Sequence, residues 1–132
     1  MTYNTSHLFV CALMVLDDNK LRATFDCKTI SMTAGEYNSI SLLARNEGAY
    51  FTFDEIYNSA WKQSDGADAD TEENRKAARL ALEKVVQEIN KAGKSFLWIE
   101  RQRQKGYILR TNWGKEFDNI EYKQQHKEIS QL

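Results

Sequence analysis

The hydrophobic period of this chain changes twice, and those changes limit the folds open to it. From Leu8 to Met32 the pattern is that of strands. Leu8–Leu16 is a short apolar run rich in branched and aromatic residues, which reads as a buried strand. Asp17-Asp18-Asn19 reads as a turn. In Lys20–Asp26 the apolar Leu21, Ala23 and Phe25 alternate with Arg22 and Thr24, a period of two, and Lys28–Met32 offers a third short strand. The expectation is a small antiparallel sheet with hairpin connections.

At Thr33 the period becomes helical. Thr33 with Glu36 three residues on forms a capping box, and Tyr37, Ile40, Leu43 and Ala44 follow on one helical face, with Gly48 just past the end. After an extended link, Thr52 and Glu55 repeat the capping pattern before a helix carrying Ile56, Ala60 and Trp61. A loop with Gly66 and acidic residues leads to a third helix, expected from Thr71 or Glu72 to Ala92 and stopped by Gly93. Its apolar stripe is Ala78, Ala81, Leu82, Val85, Val86 and Ile89. The strand pattern then returns in Phe96-Leu97-Trp98-Ile99 and Tyr107-Ile108-Leu109, around a basic tip. The order sheet, helix, helix, helix, hairpin predicts an α+β winged helix-turn-helix over residues 1–113. Residues 114–132 are polar and weakly helical, and read as a tail or docking helix.

Several chemistries have no support. His7 and His126 lie near opposite ends, and no cysteine or histidine spacing suits zinc. No glycine-rich phosphate loop or nucleophile elbow is present. The run Asp65, Asp68, Asp70, Glu72, Glu73 fails as an EF-hand: counted from Asp68, the sixth and twelfth positions hold Glu73 and Arg79 instead of Gly and Glu. These residues read as a solvated loop favouring the following helix N-terminus. Cys11 and Cys27 cannot make a disulfide framework, which points to a reducing cytoplasm and to small core or strand residues. No apolar run is long enough to span a bilayer. The expectation is a non-enzymatic protein without cofactor, metal, membrane or small-molecule ligand.

Net charge is −1 and by itself argues against a nucleic-acid partner. Its distribution argues the other way. Between Arg75 and Arg110 there are ten Lys+Arg against three acids, a local charge of +7 on the third helix and hairpin.

Met32-Thr33-Ala34-Gly35-Glu36-Tyr37, Leu42-Leu43, Asn46-Glu47-Gly48, Phe51–Ile56 and Trp61 come in the order of an OmpR/PhoB-type DNA-binding domain. Ile99-Glu100-Arg101-Gln102-Arg103-Gln104-Lys105-Gly106-Tyr107-Ile108-Leu109 resembles that family's wing, without its first glycine. The resemblance covers residues 8–111. It implies a bacterial transcription regulator bound to double-stranded DNA, its third helix in the major groove and its wing on the adjacent minor groove. It also implies a loop between helices two and three that can contact RNA polymerase, here Asp65, Asp68 and Asp70, and homodimers are a further expected assembly. Most members carry a phospho-receiver domain. The chain has no room for one, and so resembles a free-standing effector or one cut from a longer regulator.

In that context the outward row Arg79, Glu83, Gln87 and Asn90 offers base-reading chemistry: Arg for guanine, Gln or Asn for adenine, Glu for cytosine. The same row also suits an ordinary solvated face. Arg75, Lys76 and Lys94 are candidate phosphate contacts. Arg101, Arg103 and Lys105 alternate along the hairpin, which would place them on one side for phosphate or minor-groove contact, or simply blunt an exposed edge. Trp61, Trp98 and Tyr107 read as core or rim packing, and Tyr50 and Tyr57 are left open. The expected recognition-helix end, Ile89-Asn90-Lys91-Ala92, has fewer cations than the family's basic cluster. That shortfall motivates an alternative: a winged-helix protein–protein module that has lost DNA affinity.

Overall fold

The computed structural model describes residues 7–62 and 71–112. Residues 114–132 and the acidic positions Asp65, Asp68 and Asp70 lie outside the described residues.

Four strands open the domain: β1 (Leu8–Cys11), β2 (Met14–Asp17), β3 (Arg22–Thr24) and β4 (Thr29–Ser31). They form one antiparallel meander in the order β1-β2-β3-β4. The apolar run Leu8–Leu16, expected as one strand, is two strands of a tight hairpin. Cys11 pairs with Met14, and the reversal falls on Ala12, whose φ is 53°, and Leu13. Neither residue is a usual turn former, so periodicity alone could not show the break. Elsewhere the expected faces hold: Ala23, Phe25 and Ile30 are buried, and Arg22 and Thr24 are not.

Helix α1 (Ala34–Arg45) starts with the capping box: the Glu36 amide donates to Thr33 Oγ1, and the Thr33 amide donates to Glu36 Oε1 at 2.9 Å. Two otherwise unpaired helix-end amides are thereby satisfied. Tyr37, Ile40, Leu43 and Ala44 are buried. The Tyr37 hydroxyl donates to Asp18, which also pairs with Arg45 at 3.3 Å, so the β2–β3 turn is tied to α1.

Helix α2 (Phe53–Ile56) has the second capping box, on Thr52 and Glu55, and continues into a π-helical turn, Tyr57–Trp61. The Lys62 amide bonds to the Tyr57 carbonyl at 2.9 Å, the five-residue spacing of a π turn. The wider turn carries Tyr57, Ala60 and Trp61 into the core. Trp61 lies against Gly35, where an added Cβ would be 2.3 Å from the indole. Its Nε1 donates to Ser39 Oγ at 2.7 Å, and that hydroxyl donates to the Gly35 carbonyl at 2.8 Å. The helix pair is thus fixed by one glycine and one buried hydroxyl.

Helix α3 (Glu72–Gly93) is capped by Thr71, whose Oγ1 accepts from the Asn74 amide. Ala78, Leu82, Val85 and Ile89 are its buried stripe, with Ala81 and Val86 at the margins. Strands β5 (Leu97–Gln102) and β6 (Gly106–Thr111) form the C-terminal hairpin. Phe51 adds a bridge beside it: Phe51 and Tyr107 exchange backbone bonds of 2.9 and 2.8 Å. Gly106 is required there, because a Cβ would lie 2.1 Å from the Phe51 carbonyl oxygen. The result is an α+β winged helix with a four-stranded sheet in front.

Candidate nucleic-acid interface

The third helix and the hairpin face one another across an open concavity of about 540 Å³. Thr52, Phe53, Arg79, Arg101, Arg103 and Tyr107 are among its lining residues. Arg79 stacks over Phe53, its Cζ 4.6 Å from the ring centroid. Arg101 extends from β5 to Glu83 on α3, 3.0 Å away. Arg103 is exposed on the hairpin tip. Arg79, Arg101 and Arg103 thus line one concavity where α2, α3 and the wing meet.

Tyr107 is 3% exposed at the base of this concavity. Its hydroxyl has no hydrogen-bond partner among the described residues. Burial raises its pKa, opposed by Arg101 and Arg79 and reinforced by Glu83. The phenol thus sits within the field of all three charges.

The expected base-reading row is not one outward row. At about 100° per residue, Leu80 is diametrically opposite the buried stripe, whereas Arg79 and Asn90 are roughly 80–100° to one side and Glu83 about 60°. Of the four, Gln87 alone falls near the outward centre. Asn90 is turned to the wing, its Nδ2 donating to the Ile99 carbonyl at 3.0 Å and its Oδ1 accepting from the Ile99 amide at 2.7 Å. These two hydrogen bonds to the main chain tie α3 to β5 and give the side chain a structural role. Glu83 is half-buried and paired to Arg101.

The expected phosphate contacts also divide. Arg75 bonds to Asp54 at 2.5 Å and stacks on Tyr57 at 4.9 Å, which joins α3 to α2. Lys76 is exposed on the first half of α3. Lys94 follows the other end of that helix, about 27 Å along its axis, and is not brought to the concavity. The alternation of Arg101, Arg103 and Lys105 does not place them on one side. β5 ends at Gln102, residues 103–105 form the turn, and Lys105 Nζ lies 5.4 Å from the Tyr50 ring instead.

Tyr50 and Tyr57, left open by sequence, pack beneath cations: Tyr50 under Lys105 and Arg110, Tyr57 under Arg75. Trp98 donates to Glu100 at 2.9 Å, and Arg110 donates to the same carboxylate at 3.1 Å. These contacts hold Glu100 below the usual carboxylate range, so it stays anionic and paired. The outward residues that sequence reading omitted are Leu80, Lys84 and Lys91, all exposed. Their signal was available in the helical phase of the buried stripe.

No group of metal-binding side chains occurs among the described residues, and none of their helices is long and apolar enough to cross a membrane. No family model matches the chain, and no curated protein sequence matches it significantly. Solved structures do match. The DNA-binding domain of CpxR from E. coli superposes with a TM-score of 0.59 at 17% identity, covering 79% of this chain and 96% of that one. The chain has the OmpR/PhoB-type winged-helix fold. The AdeR DNA-binding domain, solved in complex with an intercistronic region, gives 0.57 at 19% identity, over 77% of this chain and 98% of that one. DrrB, an OmpR/PhoB homologue of Thermotoga maritima, gives 0.51 at 18% identity, over 79% of this chain and 44% of that one.

Proposed function

We propose that this winged helix is a DNA-binding transcription regulator, with α3 in the major groove and the β5–β6 wing on the adjacent backbone or minor groove. The observation that carries the reading is the convergence of Arg79, Arg101 and Arg103 on one concavity between α3 and the wing. Guanidinium groups suit phosphate oxygens in geometry and charge, and the local +7 segment supplies long-range attraction. The fold neighbours are DNA-binding domains, one of them solved with its DNA. Such a role needs no catalytic group and places the chain in a bacterial cytoplasm. The unit that acts would be residues 1–113, with 114–132 as an appended tail or docking helix.

Asp65, Asp68 and Asp70 stand as the candidate RNA polymerase contact, and self-association on paired half-sites follows the same logic. The test is duplex binding as a function of salt. Binding that weakens steeply with ionic strength supports the reading. An absence of binding near 50 mM salt, a concentration chosen to be low on the scale of counterion effects (~0.05 M), contradicts it. In that case the protein–protein alternative takes its place.

A further inference from the structure

We propose that Leu80 reads thymine 5-methyl groups in the major groove and so biases the protein toward thymine-bearing sites. The proposal rests on the DNA-binding reading and adds a specificity determinant to it. The buried residues Ala78, Leu82, Val85 and Ile89 set the phase of α3. Leu80 lies about 180° from the centre of that stripe, at the outward apex of the helix. It is 59% exposed, the only large apolar side chain so exposed on α3 among the described residues.

Its neighbours carry both signs: Glu72 and Glu83 line the depression beside it, Glu83 turned to Arg101, and Glu73 lies two turns earlier on the same ridge. Lys76 and Lys84 flank it one turn away on either side, and Gln87 and Lys91 continue the same ridge, all exposed. None of these lysines forms an ion pair among the described residues. An apolar apex with an exposed lysine one turn away on either side suits a major-groove floor bordered by phosphates. A single leucine is far too small for a stable protein interface, which needs about 800 Å² per partner. On the groove floor, the thymine methyl is the one apolar group that a base pair displays. Leucine has no donor or acceptor, so it can discriminate there only by burying that methyl.

The test begins with selection of preferred sites from a random duplex library by the whole chain. Each thymine of the selected site is then replaced by deoxyuridine, which removes only the methyl. At one or two positions the replacement should weaken wild-type binding about fourfold, the value of one buried carbon. In Leu80→Ala the same replacement should change binding by less than about 1.5-fold. Circular dichroism of the variant checks that the exposed substitution leaves the fold intact. Tight duplex binding without any uridine-sensitive position, or equal sensitivity in Leu80→Ala, overturns the proposal and leaves the DNA-binding reading standing. No duplex binding at all overturns both.

Discussion

The Arg101 guanidinium lies 3.0 Å from the Glu83 carboxylate and joins the wing to the third helix. Both side chains keep substantial solvent exposure, so the pair contributes at most about 1 kcal/mol to stability. If Arg101 contacts DNA as proposed, Glu83 competes with phosphate for its guanidinium. Glu83→Gln should therefore tighten duplex binding at low salt by up to about fivefold, with little change in thermal midpoint. Fluorescence anisotropy with a labelled duplex reads this directly. Weaker binding by the variant would show Glu83 to be a DNA contact itself.

Asn90 holds the Ile99 main chain with two hydrogen bonds. Asn90→Ala leaves a partly buried amide and carbonyl without partners, and should cost about 1–3 kcal/mol in denaturant unfolding. Sequence preference, measured by competition among duplexes, should not change beyond the general loss. A change in preference with unchanged stability would return Asn90 to base readout.

Trp61 Nε1 and Ser39 Oγ form the buried bond between α1 and the π turn. Ser39→Ala strands the indole N–H and should destabilise by about 1–3 kcal/mol. Gly35→Ala should be worse, because the added carbon meets the indole at 2.3 Å. Urea midpoints of the two variants give the comparison. A neutral Ser39→Ala would show that the bond does not contribute.

Gln104 occupies the hairpin tip with φ at 77°. A residue with a side chain is disfavoured there by roughly 1–2 kcal/mol relative to glycine. Part of this gain is offset by glycine's greater unfolded-state entropy. Gln104→Gly should still raise stability by about 0.5–1 kcal/mol, seen as a higher thermal midpoint. A lower midpoint would show the Gln104 side chain to be stabilising.

The capping residues were legible because their chemistry is local. Thr33 with Glu36 and Thr52 with Glu55 each cap the helix expected of them, and the third helix starts at Glu72, within the expected bounds, with Thr71 as its cap. The Ala12-Leu13 reversal was not legible, because the turn is imposed by burial of Cys11 and Met14 on the same sheet face rather than by turn formers. At the proposed site, residue types pointed to α3 and the hairpin, but the face each side chain takes depends on tertiary partners. Arg75 is drawn to Asp54, Asn90 to Ile99 and Lys105 to Tyr50, partners separated by 9 to 55 residues in sequence, and only tertiary packing selects them. Leu80 carries no hydrogen-bonding group to mark it for base readout, although its phase against Ala78, Leu82, Val85 and Ile89 puts it outermost.

On the proposed function, Arg79, Arg101 and Arg103 present a phosphate-binding surface to duplex DNA. Its most direct measurement is the slope of log K against log salt concentration for the wild type and for Arg79→Gln, Arg101→Gln and Arg103→Gln. A steep negative wild-type slope is expected, made shallower by about 0.9 for each arginine that contacts a phosphate. A flat wild-type slope, or the same slope in all four proteins, would contradict it.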